Sequence, residues 1–205
     1  MQKEERQRKR NAAATKEAIL KSAQKAFAEG SYEAAGLREI AQEAGVTAMM
    51  VNRYFGSKEQ LFTEVLVSMM SNPDIIKSEY LDSENIADLL AAALVDKTDR
   101  KRDPLDGFKV LLHSLSNPKT AEIGREQITK YHLRQIAESV QGEMAAERSA
   151  IALSLIFGFQ IMRQMIALDA LASADPVKIK TILADMLRLV LGSSEPETGE
   201  PKLPR

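Results

Sequence analysis

Apolar residues recur at three- and four-residue intervals along most of the chain, the spacing that lines one face of an α-helix. Ile19, Leu20, Ala23, Ala26 and Phe27 mark a first helix. Leu37, Ile40, Ala41 and Ala44 mark a short second one, and Val51, Tyr54 and Phe55 a short third. Leu61, Phe62, Val65, Leu66, Met69 and Met70 stripe a helix that must stop before Asn72-Pro73. Ile86, Leu89, Leu90, Ala93 and Leu94 form the next stripe, and Leu105, Phe108, Leu112 and Leu115 the one after, with His113 off that face and expected to be exposed. Ile128, His132 and Ile136 share a further face. Ile179, Ile182, Leu183, Met186 and Val190 read as one stripe of a last helix that ends at Gly192. No convincing two-residue alternation interrupts this series, so the chain reads as all-α.

The breaks between helices carry their own chemistry. Gly45 falls where a helix stop needs a left-handed residue. Val46 can plug the space between two helices, and the Thr47 hydroxyl suits the N-cap of the next one. Gly56 closes that helix, and Ser57-Lys-Glu-Gln60 is a capping box for its successor. Asp103-Pro104, Asn117-Pro118 and Asp175-Pro176 each set a cap residue before a proline at the first helical position. A short helix, a turn around Gly and a second short helix is the helix-turn-helix pattern, although a hairpin inside an ordinary bundle shares it. The outward face favours the former. A solvated helix face usually carries Glu and Lys; this one offers Ala48, Met49, Asn52 and Arg53, suited to base edges and phosphate.

The same segment resembles the DNA-binding domain of the TetR family of transcriptional repressors. The resemblance is carried by Phe27, Gly30, Tyr32, Arg38-Glu39-Ile40-Ala41, Ala44-Gly45-Val46-Thr47 and Tyr54-Phe55-Gly56-Ser57-Lys58-Glu59-Gln60-Leu61, and covers residues 15–65. It implies an N-terminal three-helix helix-turn-helix domain and a C-terminal helical ligand-binding and dimerisation domain. It further implies DNA contacts from Arg38, Thr47, Ala48, Met49, Met50, Asn52, Arg53, Tyr54 and Lys58. Two departures stand out. Relatives carry Thr or Ser near positions 35 and 36, to cap the second helix and touch phosphate, where this chain has Ala35 and Gly36. The recognition helix often reads Gly-Thr-Leu-Tyr where this one has Met49-Met50-Val51-Asn52, so base preferences do not transfer.

Charge is distributed unevenly. The 205 residues sum to a formal −1, yet residues 1–62 hold an excess of Lys and Arg and the remainder an excess of Asp and Glu. Lys3, Arg6, Arg8, Lys9 and Arg10 make a basic arm over residues 1–11, read either as a groove- or phosphate-tracking segment or as a solvated flexible tail. The N-terminus is too charged for a signal peptide. The uncharged run from Ser149 to Met162 is too short to cross a bilayer and fits a buried helix. A cytoplasmic protein without membrane attachment is expected. Domains are expected at 12–65 for DNA binding and 66–192 for effector binding and dimerisation. A tail at 193–205, holding three of the seven prolines, is expected to be disordered.

Within the second domain, residues 144–171 are apolar nearly all round, with Ala150, Ser154 and Gly158 four residues apart. A stripe of small residues lets another helix approach closely, and Ile161 and Met165 extend that face. Together with Ile179, Leu183 and Met186 of the last helix it is the expected dimer interface. The resemblance implies a four-helix bundle there, and a palindromic operator calls for a two-fold dimer. Residues 105–191 also loosely resemble a C-terminal type found in several members of the family, with Leu171-Ala-Ser-Ala-Asp-Pro176 before the last helix. The expected effector site is Phe108, Leu112, Ile128, Tyr131, His132 and Gln135, which suits an apolar or aromatic small molecule. An imidazole on an apolar stripe is more simply a satisfied core group. The helix from Ser57 to Met70 links the recognition helix to the rest of the chain, and is expected to act as a lever between the two sites.

Cysteine and tryptophan are absent, so neither disulfides nor a cysteine metal site can form. No phosphate-cradling Gly-rich loop is present, the two histidines lack metal-ligand spacing, and no Ser or carboxylate pair stands in a catalytic context. An enzyme, a cofactor and a metal are not expected. A DNA-binding scaffold whose C-terminal domain binds a protein partner is the alternative.

Overall fold

A computed structural model describes residues 2–71, 75–98 and 106–192, and every regular element among them is helical. In chain order these are α1 (Gln2–Glu29), α2 (Leu37–Glu43), α3 (Ala48–Phe55), α4 (Lys58–Met70), α5 (Ser78–Leu81), α6 (Ile86–Lys97), α7 (Asp106–Ser114) and α8 (Pro118–Ile128). A π-turn (Thr129–Leu133) leads into α9 (Arg134–Ser139). Then come α10 (Ala145–Gln160), a second π-turn (Ile161–Met165), α11 (Asp169–Ala172) and α12 (Pro176–Leu191). Asp103-Pro104, Asn72-Pro73 and the tail after Gly192 lie outside the described residues. Residues 2–11, expected as a flexible arm, are instead the first turns of α1.

The helices form two compact units. The first is α1–α4 together with α7, α8 and the π-turn as far as His132; the second is α5, α6 and α9–α12. The division is therefore discontinuous in sequence, because α7 packs along α1 and α8 along α4. The core of the first unit holds Ile19, Ala23, Phe27, Ile40, Val51, Phe55, Leu61, Phe62, Val65 and Leu66, all buried. Phe27, Tyr32 and Phe62 form an aromatic cluster at its centre: Phe62 meets Phe27 edge-on at 5.1 Å and Tyr32 at 5.4 Å between ring centroids.

Helices α7 and α8 are tied to the N-terminal segment by polar contacts as well. The His113 ring Nδ1 lies 2.9 Å from the Gly30 carbonyl and 3.3 Å from that of Phe27, at the end of α1. Both partners are acceptors, so Nδ1 carries the hydrogen. Asn117 donates to the Glu33 carboxylate, and Lys119 pairs with Glu59 at 3.1 Å. His113 is thus half-buried and bonded where the sequence pattern places it in solvent. The pattern on α7 is displaced in the same way: Val110, Leu111 and Ser114 are buried, while Leu115 is 61% exposed.

In the second unit α12 packs along α6 and crosses α10, with α9 against α10 and α5 against both α6 and α9. Two arginines finish helices other than their own. Arg163, buried in the second π-turn, donates through Nη1 to the Val95 carbonyl at 2.8 Å and the Thr98 hydroxyl at 2.9 Å, at the end of α6. Arg148 on α10 donates through Nε to the Val190 carbonyl of α12 at 2.8 Å. Cations placed on the open carbonyls of a helix C-terminus also oppose its macrodipole.

Candidate nucleic-acid interface

The α2–α3 pair is built as its residues require. Gly45 has φ +69°, the left-handed region that terminates α2 without a Cβ penalty. Thr47 caps α3 by accepting the Met50 N–H at 3.3 Å. Gly56, at φ +78°, ends α3, and Ser57 caps α4 by accepting the Gln60 N–H at 3.1 Å. With no hydroxyl at Gly36, no side chain caps the first turn of α2; Glu39 Oε2 supplies the reciprocal contact, accepting the Gly36 N–H at 3.2 Å. The signal was in the sequence, as an acidic residue three positions into a helix.

Val51 and Phe55 bury one face of α3. The opposite face carries Met49, Asn52 and Arg53, all exposed, with Met49 at 81% and Met50 at 37%. Ala48 and Tyr54 are half-buried at its flanks. Arg53 and Arg38 are exposed and have no ion-pair partner among the described residues. Lys58 is different. Its ammonium donates to the Glu33 carbonyl at 3.3 Å and lies 4.7 Å from the centre of the Tyr32 ring. Burial lowers its pKa, opposed by Glu33 and Glu39. Expected as a DNA contact, Lys58 is engaged inside its own unit, because the start of α4 faces the turn between α1 and α2.

The expected effector residues divide between the units: Phe108, Leu112, Ile128, Tyr131 and His132 lie in the first and Gln135 in the second. Only His132 is buried; the other five are half-buried. Of the two readings of His132, satisfied core group or polar anchor of a ligand site, the first is not met: its Nδ1 is buried without a hydrogen-bond partner among the described residues. Burial lowers its pKa below the ordinary 6.5, opposed by a backbone bond at Tyr131. Above pH 6.5 both folded and unfolded chains hold it neutral; below that value the unfolded chain takes a proton that the folded chain resists. Stability therefore falls as pH drops through the mildly acidic range. His132→Gln should flatten that fall, measured as the difference between urea midpoints at pH 7.5 and 5.5 for variant and wild type. Equal differences would show that His132 ionises alike in both states.

An exposed apolar face runs along α10, the second π-turn and α12. Ala150, Ser154 and Met165 are exposed on it, Gly158 and Ile161 half-buried, and Ile151, Ile182, Met186 and Leu189 add large side chains, Leu189 at 85%. A Cβ built on Gly158 would meet no atom within 4 Å. Ile179 and Leu183, expected on this face, are instead buried with Leu187 inside their own unit. The last helix presents two apolar stripes, and Ile182, Met186 and Leu189 form the outer one. The stretch Ala145–Met165 is also long and apolar enough to cross a membrane. Yet its Ser149, Gln160 and Arg163 are buried in the second unit.

This arrangement has close counterparts. Residues 19–65 match the family described as bacterial regulatory proteins, tetR family, and residues 84–191 match a tetracyclin repressor-like C-terminal domain. An HTH-type transcriptional repressor of Mycobacterium tuberculosis is 30% identical over 187 residues, covering 90% of this chain and 88% of that protein. Among solved structures, a TetR-family regulator from Streptomyces coelicolor superposes with a TM-score of 0.62 at 24% identity, covering 88% of this chain and 96% of the other. NalD, a secondary repressor of a multidrug efflux pump in Pseudomonas aeruginosa, superposes with a TM-score of 0.59 at 20% identity, over 88% and 98% of the two chains. The two structural matches share the fold, and the two domain matches together span well over half the sequence. With a capped helix-turn-helix whose outer face is free for a groove, the chain belongs to the TetR family of DNA-binding transcriptional regulators, which are not enzymes.

Proposed function

We propose that the protein is a cytoplasmic repressor that binds a palindromic operator as a homodimer and leaves it when a small molecule occupies the helical domain. The observation that carries the DNA-binding half is the outer face of α3, where Met49, Asn52 and Arg53 stand exposed on a helix whose other face is fixed by Val51 and Phe55. Arg38, Ala48, Met50 and Tyr54 flank that face as its supporting contacts, and Thr47 holds the first turn of α3 in place. Lys58 holds the α1–α2 turn through Glu33 and Tyr32.

Dimerisation is supported by the apolar face of α10 and α12, which a lone protomer leaves in water. Ala150, Ser154, Gly158, Ile161, Met165 and Met186 form it, joined by Ile182 and Leu189. Membrane insertion fits poorly with a buried Arg163 bonded to the end of α6. Effector binding is supported by His132, a buried imidazole with a free Nδ1 among the described residues, in a π-turn, a distortion frequent at functional sites. Phe108, Leu112, Ile128 and Tyr131 of the same unit favour an apolar or aromatic ligand.

Arg53→Ala tests the DNA-binding reading. The side chain is exposed and has no ion-pair partner among the described residues, so the fold should be unaffected. Operator affinity should fall by about 1–3 kcal/mol per half-site if the guanidinium grips a base bidentately. A mobility-shift titration on the DNA upstream of the chain's own gene, at fixed salt, measures it. Unchanged affinity would remove Arg53 from the interface.

A further inference from the structure

The first turn of α3 has an unusual chemistry for a surface that faces water. Ala48, Met49 and Met50 are consecutive and apolar, and no acidic residue accompanies them. Water-facing first turns ordinarily carry Asp or Glu, which the helix dipole favours. Met49 is 81% exposed, and its side chain supports no packing in its own unit. Thr47, the polar residue nearest to it on the N-terminal side, spends its hydroxyl acceptor on the Met50 N–H. That leaves Thr47 its O–H to donate, while the side chains of Ala48, Met49 and Met50 offer a base edge no strong hydrogen-bonding group.

In the major groove guanine, adenine and cytosine present only donors and acceptors, whereas thymine adds a C5-methyl group. A thioether is at best a weak acceptor. Pressed against guanine, adenine or cytosine it would strip water from polar atoms and return nothing. Against thymine it buries a methyl. We propose that Met49 is a specificity-determining residue that selects thymine in each operator half-site by contact with its C5-methyl group. This inference rests on the DNA-binding reading given above. Asn52 lies one turn further along the same face and is matched to adenine, whose N6 and N7 it can bond together. Three residues of helix rise about 4.5 Å and base pairs are spaced about 3.4 Å. The thymine under Met49 and the adenine under Asn52 therefore lie one or two base pairs apart.

The test uses the full-length protein and removes single methyl groups from the DNA. A site is first enriched from random duplexes by repeated selection. Each thymine of the enriched half-site is then replaced by deoxyuridine, which pairs identically but lacks the methyl. At one position uracil should weaken wild-type binding about fourfold per half-site, the worth of one buried methyl-sized group. The Met49→Ala protein should bind thymine and uracil sites equally there. At that position 5-methylcytosine should bind the wild type about fourfold better than cytosine does. Wild-type protein that binds the all-uracil site as tightly as the thymine site would overturn the proposal. So would an equal uracil penalty in Met49→Ala, since the methyl would then be read by another residue. Selection that enriches no sequence would sink the DNA-binding reading itself, and this inference with it.

Discussion

Phe62→Ala should destabilise the protein by about 3–5 kcal/mol, the cost of emptying a buried aromatic site. Phe62 is 1% exposed and meets both Phe27 and Tyr32 edge-on. Those pairings add about 0.5–1.5 kcal/mol each beyond area burial. Whole domains are stable by only about 5–15 kcal/mol, so one substitution removes a large share. The expected fall in Tm is about 6–20 °C for a chain of this size. Phe62→Leu, which keeps most of the volume, should lose less than half as much. Urea unfolding with both variants measures it. A loss below about 1 kcal/mol for Phe62→Ala would show that the cavity collapses and that the cluster is not the centre of this core.

Gly158→Leu should separate stability from assembly. Within the protomer a Cβ at this position meets nothing within 4 Å, so a side chain can be attached there without a clash at its first atom. Replacing glycine inside a helix should even stabilise the protomer, by about 0.5–1 kcal/mol. Across a close helix contact the same side chain acts as a wedge. We therefore expect an unchanged or raised Tm for the protomer together with a shift from dimer to monomer in sedimentation. Operator affinity should fall by about 10²–10⁴-fold, the advantage that two linked half-site contacts have over one. Ile182→Glu, which sets a charge on the outer stripe of α12, should act in the same direction. A Gly158→Leu protein that remains a dimer with full operator affinity would place the contact on another surface.

Much of the DNA-binding segment was legible because its sequence punctuation is local. Gly45, Thr47, Gly56 and Ser57 each act within a turn of themselves, and their φ angles and hydrogen bonds follow from residue type alone. The faces of α12 were not legible. Ile179 and Leu183 were grouped with Ile182 and Met186, yet the first two are buried within the unit and the latter two exposed. A helix with apolar residues on both sides carries no periodic cue as to which side meets its own chain. His113 escaped for a different reason. Its partners are backbone carbonyls more than eighty residues earlier, and sequence spacing within one helix cannot register an acceptor on another. The two π-turns likewise depend on tertiary fit, since each shifts the face of a helix by a fraction of a turn.

The packing of α7 and α8 on α1 and α4 has a consequence during synthesis. The recognition helix is complete once residue 55 has been made, but its supporting unit is not. His113, Asn117 and Lys119 must arrive before the end of α1, the α1–α2 turn and the start of α4 are tied down. Between them the ribosome releases α5 and α6, which belong to the other unit. The DNA-reading half of the protein is therefore a late product of translation, closed by contacts of high sequence separation that fold slowly. A nascent chain stalled near residue 70 has its helix-turn-helix without the contacts that α7 and α8 add behind it.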